Sequence, residues 1–295
     1  MKKATVIVDS NYLCHRAWHT TGMLSYKDKP VGVIFGFLNQ LFTIGKTLQP
    51  QNVIFCWDSR KSIRKHKYPF YKSKTLKQRE ADMSDAFPQF TELRKEILPK
   101  LGFPNNFMQP GYEADDLIAK IVRTNASNTS ENRTKYIITS SDDDLLQLID
   151  DCIIYNLGKD RIITEDDLLA EYGVTPSQWV EVKKIAGCKS DTVPGVPGVG
   201  EITAVKYLTG RLKPESKKYQ AIELHGTKEL YARKEWLVKL PLPGTKLPNI
   251  RQSKFSKKEL VKLCDELGFT RLRNDPVKLD DWSFYFGVKE RREHV

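Results

Sequence analysis

Short apolar runs that stop at an acidic residue recur through the first half of the chain. Ala4 to Val8 reads as a buried strand closed by Asp9, and Val53 to Trp57 as a second closed by Asp58. Tyr136 to Thr139 is a third, followed by Ser140, Ser141 and three aspartates, and Cys152 to Tyr155 supplies a fourth. Between these runs the period turns helical. Val31 to Leu48 sets Ile34, Phe35, Leu38, Leu41, Phe42 and Ile44 along one stripe, and Asp85 to Leu101 and Ala114 to Val122 are further helical stretches. Strand and helix in alternation predict an α/β fold, a mostly parallel sheet with helices on both faces.

After about Gly173 the strand signals thin out and the chain turns helical, basic and loop-rich. Trp179 to Ala186, Glu201 to Leu208 and Lys257 to Leu267 are its clearest helices, with Arg211 to Lys218 and Leu240 to Phe255 as loops. This change predicts two domains, 1–175 and 176–295. The aromatic end, Trp282, Phe284, Tyr285 and Phe286, is either an element packed back on the core or a docking tail for a partner.

Charge sharpens the picture. Lys and Arg number 48 against 37 Asp and Glu, a net charge of +11. The segment from Arg60 to Arg79 holds nine basic residues and no acid, whereas the middle of the chain, Glu113 to Asp167, is acid-rich. Basic runs around an acidic centre suit a polyanion gripped beside a cation site better than a membrane surface. No apolar run reaches the roughly 20 residues needed to cross a bilayer, and no secretory leader is expected from the first residues. The five cysteines are scattered without paired spacing, which speaks for a reducing, cytoplasmic setting and against a zinc site.

The chemistry lies in acids far apart in sequence. In a parallel sheet the strands' carboxyl ends share one edge, where ligands bind, so Asp9, Asp58, Asp142 and Asp144 are expected together. Glu113, Asp115 and Asp116 open a helix as another source, and Asp191 is a further one. Like charges so crowded repel unless cations neutralise them. Hard divalent ions with oxygen ligands, Mg²⁺ or Mn²⁺, fit that need, and two of them about 4 Å apart suit phosphodiester hydrolysis. Each acid alone could instead be a helix cap. Asp142, Asp143 and Asp144 either ligate through the first and third with Asp143 solvated, the favoured reading, or cap the helix that follows. Downstream of Asp191, Pro194 to Gly200 packs three glycines and two prolines into one turn. Its backbone amides, with the start of the Glu201–Leu208 helix behind them, form a candidate phosphate clamp.

These residues carry a resemblance. Val8 to Leu13 with Arg16, Gly32 to Leu41, Phe55 to Asp58, Tyr68 to Lys72, Gly111 to Asp116, Thr139 to Asp144 and Asp191 to Gly200 are similar, in order, to motifs of the 5′-nuclease superfamily. That superfamily includes the 5′→3′ exonuclease domain of bacterial DNA polymerases and the flap endonucleases and 5′ exonucleases of phages. The likeness covers residues 1 to about 210. It implies a PIN-like domain with a basic helical arch at about 60–95, followed by a helical domain with a helix–hairpin–helix-like clamp at 191–208. It implies hydrolysis near the 5′ ends of flapped, nicked or junction DNA, and of RNA primers, in replication or repair. Two Mg²⁺ would serve, Mn²⁺ substituting. Asp9, Asp58, Glu113 and Asp115 would hold the first ion, and Asp116, Asp142, Asp144 and Asp191 the second. Tyr71, Lys72 and Arg64 would act on the scissile phosphate. Lys65, Lys67, Lys74, Arg79, Gly195, Gly198, Gly200 and Lys206 would bind DNA, with K⁺ at the glycine hairpin. A monomer that meets a polymerase or a single-strand-binding protein, in a bacterial or phage-infected cytoplasm, completes the expectation.

One departure stands out. Cys188 occupies a position where the superfamily has aspartate, and a soft thiolate suits Mg²⁺ poorly. The second ion is therefore expected to bind weakly, with Cys188→Asp restoring the response to Mg²⁺. Two other readings compete: a junction-binding paralogue without catalysis, and a PIN-type ribonuclease. The number of retained acids opposes the first, and the hairpin and basic arch oppose the second.

Overall fold

The strands in chain order are β1 Thr5–Asp9, β2 Ser25–Tyr26, β3 Lys29–Pro30, β4 Asn52–Cys56, β5 Asn106–Phe107, β6 Tyr136–Thr139, β7 Ile153–Asn156 and β8 Arg161–Ile163. The computed structural model describes residues 4–73, 83–125, 135–225 and 235–287. Within these, β1 sits at the middle of a sheet ordered β5-β4-β1-β6-β7-β8. It pairs in parallel with β4, Thr5 opposite Asn52, and with β6, Thr5 opposite Tyr136. Only β8 runs antiparallel, on β7, while β2 and β3 form a small separate ribbon. The α/β expectation of a mostly parallel sheet holds.

Alternation along β1 shows why its apolar run is unbroken. Val6 and Val8 enter one core with Ile34, Leu38 and Leu41 of the Gly32–Leu48 helix, while Ile7 enters the other with Ile118 and Val122 of the Ala114–Asn125 helix. Both faces are covered, so every position must be apolar. The sheet edge that carries the acids is thereby fixed by two layers of helices.

The division expected at residue 175 is not a division of the cores. Trp179, Val182 and Ile185 of the Pro176–Ala186 helix pack beneath the sheet with Ile7 and Ile138. On the other face Leu260, Leu263, Leu279, Trp282 and Phe286 join Leu38 and Ile44. The aromatic end is thus the Pro276–Phe286 helix packed back on the core. Gly45 makes room for it: a Cβ there would lie 2.4 Å from the Phe286 ring. The expected loop Leu240 to Phe255 is irregular and straps across the first half, with Arg251 N–H donating to Asn105 Oδ1 at 2.8 Å and Ser253 Oγ to Asn52 Oδ1 at 2.7 Å.

Several elements went unread in the sequence. The Ser10–Thr21 helix follows β1 without a loop because Asp9 caps it, accepting from Tyr12 N–H at 3.0 Å. β5 and β8 are too short to show a period. The stretch Asp85 to Leu101 is helical, but as Ala86–Glu92, a π turn Leu93–Ile97 and Leu98–Lys100. The arch expected at about 60–95 is revised at its far end. Met83, Ala86 and Phe90 are buried in the core, and Gln89 Oε1 accepts from Val33 and Ile34 N–H at the start of the Gly32–Leu48 helix. Apolar spacing that commits residues to the core removes them from an arch. Lys74 and Arg79 lie outside the described residues.

Candidate metal and nucleic-acid site

At the carboxyl edge of the sheet the acids brace one another through short local bonds. Ser140 Oγ, one residue past β6, donates to Asp9 Oδ2 at 2.9 Å. Asn11 Oδ1 accepts from Asp58 N–H at 3.0 Å, and Asp58 Oδ1 accepts from Ala114 N–H at 2.7 Å. The ends of β1, β4 and β6 and the start of the Ala114–Asn125 helix are thereby tied together. Burial, then the charges of Glu113 and Asp9, push the Asp58 carboxyl up to about 7 against the pull of Lys72. Burial followed by Asp142, Asp9 and Asp58 pushes Asp115 well above the carboxylate range. Asp142 lies on the exposed rim, yet desolvation and then the charge of Asp144 raise it to about 7. Groups so raised are short of positive charge.

Lys72 supplies part of it. Its Nζ lies 3.1 Å from Glu113 Oε2 and 3.9 Å from Asp191 Oδ2. Tyr71 Oη reaches the same two oxygens, at 2.9 and 3.1 Å. Burial opposes charge on Glu113, but Lys72 and Arg64 outweigh it and hold this carboxyl below its usual value. The backbone that presents Lys72 is itself strained. Lys72 has φ of 50° and Thr192 φ of 55°, and such left-handed residues cost about 1–3 kcal/mol each. They are latched together: Lys72 N–H donates to the Asp191 carbonyl at 2.8 Å, and Thr192 Oγ1 donates to the Phe70 carbonyl. The foot of the basic segment is thus locked onto the hairpin's acidic entry.

Arg64 and Asp116 are placed on each other. Arg64 Nη1 and Nη2 lie 2.6 and 2.7 Å from the two Asp116 oxygens, with Arg64 2% exposed and Asp116 fully buried. Asp116 also accepts from Glu113 N–H at 3.1 Å and Leu242 N–H at 2.8 Å. Its oxygens, expected at the second ion, are bonded here to an arginine and two amides. Arg64, expected to face the phosphate, instead anchors the Ile63–Lys67 helix from inside.

Across the edge, Asp144, Cys188 and Asp191 bring one donor atom each within 4.8 Å of one another. Among the described residues no other set of three metal-capable donors closes to that span. The expected first-ion set of Asp9, Asp58, Glu113 and Asp115 stays wider, its oxygens held by Tyr12, Ser140, Ala114, Tyr71 and Lys72. Lys183, a residue the sequence reading missed, sits 3.1 Å from Asp144 Oδ1 and 2.8 Å from Glu201 Oε1 while 6% exposed. Its signal was weak: Lys183 and Lys184 are adjacent on a helix that also carries Trp179, Val180, Val182 and Ile185, and sequence does not say which of the two meets Asp144. Asp142 caps the short 3-10 helix Asp143–Leu148, accepting from Asp144 N–H at 2.9 Å, and Asp143 is exposed.

The three hairpin glycines have different surroundings. A Cβ on Gly195 would lie 2.0 Å from the Ala186 carbonyl oxygen, so this glycine packs backbone on backbone rather than facing a ligand. Gly198, with φ of 73°, and Gly200 face open space. Gly200 leads the Glu201–Leu208 helix without a side-chain cap. Lys206 is exposed on that helix, and Lys65 is half-buried beside Arg64. Lys67 is exposed with its Nζ 4.2 Å from the Trp236 ring centroid.

A parallel sheet thus gathers acids at its carboxyl edge, with a basic helix foot on one side and a glycine hairpin on the other. Residues 4–173 match the family described as the 5'-3' exonuclease, N-terminal resolvase-like domain, and the chain belongs to that family. It is 33% identical over 214 residues to the 5'-3' exonuclease of Bacillus subtilis, covering 69% of each chain. It is 32% identical over 209 residues to the thermostable DNA polymerase I of Thermus thermophilus, matching 70% of this chain but 24% of the polymerase. Among solved structures it resembles the T5 D15 protein co-crystallized with metal ions, with a TM-score of 0.66 at 20% identity over 96% of this chain and 97% of that one. It also resembles flap endonuclease-1 from Methanococcus jannaschii, with a TM-score of 0.59 at 14% identity over 97% and 93%.

Proposed function

We propose that this protein is a structure-selective 5′ nuclease that hydrolyses phosphodiesters near the 5′ ends of flapped, nicked or branched DNA. The observation that carries the reading is the convergence of acids from separate segments on one sheet edge, with Lys72 wedged among them. A pure binder of polyanions gains nothing from such a cluster, because it repels the phosphate it must hold. The raised Asp58, Asp115 and Asp142 carboxyls are groups that added positive charge would stabilise, and their hard oxygens suit Mg²⁺ or Mn²⁺. Asp9, Asp58, Glu113 and Asp115 would hold one ion, and Asp142, Asp144 and Asp191 a second. Bound there, such ions would supply an activated water and stabilise the leaving oxygen.

The chain's own groups position the strand. Lys72 can swing its ammonium from Glu113 to a phosphate oxygen without leaving the site, and Tyr71 can keep Glu113 and Asp191 in place meanwhile. Gly198, Gly200 and the first amides of the Glu201–Leu208 helix, which no side chain caps, would take the duplex backbone without reading its bases. Lys65, Lys67 and Lys206 would add screened contacts around it. The matched family and the metal-bound, DNA-bound structures of the same fold support this reading.

The test is a labelled 5′-flap substrate incubated with Mg²⁺, Mn²⁺ or EDTA, beside single-stranded RNA and an RNA–DNA hybrid. Cutting of the flap with either metal and none in EDTA is expected. Intact flap under every condition supports the junction binder, and preference for single-stranded RNA supports the ribonuclease. Lys72→Ala should slow single-turnover cleavage by about 10²–10³-fold while flap affinity falls only a few-fold. Equal losses in both would make Lys72 a positioning contact.

A further inference from the structure

The donor set at the second ion position does not fit Mg²⁺ as the other acids do. Asp144, Cys188 and Asp191 are the described residues whose donors lie within 4.8 Å of one another, and one of them is a thiol. Mg²⁺ demands oxygen in a near-ideal octahedron and takes sulfur poorly. A thiolate with carboxylates suits Zn²⁺, and at bond lengths of about 2.3 Å to sulfur and 2.0–2.2 Å to oxygen a tetrahedral ion needs its donors roughly 3.5 Å apart. The three donors, within 4.8 Å of one another, would have to close by about 1 Å to reach that spacing.

Three local features aim these donors inward. Cys188 and Val193 pair through reciprocal backbone bonds of 3.0 and 2.9 Å, turning the intervening loop so that Asp191 returns beside the thiol. Ser190 Oγ lies 2.9 Å from Cys188 Sγ and can support the thiolate as a donor. Lys183 holds Asp144 by Oδ1 and is itself shared with Glu201, so Asp144 is fixed in place yet has a second oxygen to give.

We infer that Asp144, Cys188 and Asp191 form a thiolate site that takes a borderline cation of the Zn²⁺ class in preference to Mg²⁺. Ligation replaces the S–H bond by a sulfur–metal bond, and the proton leaves to water. The scattered cysteine spacing gave no sign of this, because the thiol's partners are carboxylates rather than other thiols. The inference rests on the nuclease reading for its biological use but not for its test.

The experiment is a Co²⁺ titration of the full chain, followed by the thiolate-to-cobalt charge-transfer absorption in the near ultraviolet. One equivalent should saturate the band, Zn²⁺ should bleach it by competition, and a large excess of Mg²⁺ should not. Cys188→Ser should remove the band, since among the described residues no other cysteine belongs to a set of three close donors. Asp144→Asn, which keeps the thiol, should weaken Co²⁺ binding by about tenfold or more, as losses at metal sites generally do. Cys188→Asp should lack the band and should reach half-maximal flap cutting at about tenfold less Mg²⁺. No band in folded wild type, a band that survives Cys188→Ser, or bleaching by Mg²⁺ overturns the inference. A band with no flap cutting in any metal leaves the thiolate site standing and removes the nuclease; cutting with no band does the reverse.

Discussion

Asp142→Asn combined with Asp144→Asn should stop cleavage, by about 10³-fold or more, while the protein still binds a 5′-flapped duplex as tightly as wild type or tighter. The choice of asparagine matters. Asp142 caps the Asp143–Leu148 turn through Asp144 N–H, and asparagine caps as well as aspartate does, so the turn survives. Lys183 loses its ion pair with Asp144 but keeps Glu201 at 2.8 Å, so no buried cation is stranded. What disappears is negative charge facing the place where a phosphate must sit. Removing it lowers repulsion toward DNA and removes the oxygens on which a divalent ion would rest. Single-turnover cleavage with Mg²⁺ and fluorescence anisotropy in EDTA read the two effects separately. Wild-type turnover in the double variant would take Asp142 and Asp144 out of the chemistry and leave them as caps.

The sequence disclosed the cluster because parallel strands announce their carboxyl ends. An apolar run that closes on an acid names both the strand and the residue at its edge, and Asp9, Asp58 and Asp142 were readable on that ground. Assignment within a dipeptide was not. Asp115 and Asp116 are neighbours on one helix, about 100° apart around its axis. One faces the acids of the sheet edge, and the other faces Arg64 from beneath. Nothing in the order of letters says which, since the answer depends on where the Ile63–Lys67 helix lands. The hairpin glycines teach the same lesson: Gly195, Gly198 and Gly200 are equivalent by composition, and only the approach of Ala186 separates the packing glycine from the open pair. Contacts from far along the chain were least visible. Leu242 N–H caps Asp116 from a stretch with no period at all, and Gln147 ties the same stretch down, Leu240 N–H donating to its Oε1 at 2.8 Å. A strap without secondary structure is held by such bonds rather than by propensity, so it leaves no pattern to read.

Arg64→Met is expected to destabilise the whole domain by about 3–5 kcal/mol, because it strands a fully buried Asp116 charge without its partner. Thermal unfolding should show this as a Tm lower by on the order of 10 °C. Burial alone would weaken the charge on Arg64, but Asp116 and then Glu113 outweigh it and hold the guanidinium firmly protonated. Arg64→Lys should fare little better, since a single ammonium cannot make the paired bonds of 2.6 and 2.7 Å that the guanidinium makes. Adding Asp116→Asn to Arg64→Met should recover much of the loss: the charge is gone, and an amide oxygen remains for Leu242 or Glu113 N–H. That recovery separates two roles for Arg64. If it anchors the foot of the basic segment, cleavage by each variant should follow the folded fraction, and the double variant should regain both stability and cutting at low temperature. If it touches the phosphate, the double variant should regain stability alone. The second outcome would return Arg64 to the reacting centre and require the segment to rearrange when DNA binds. The committed oxygens of Asp116 and the 2% exposure of Arg64 favour the first.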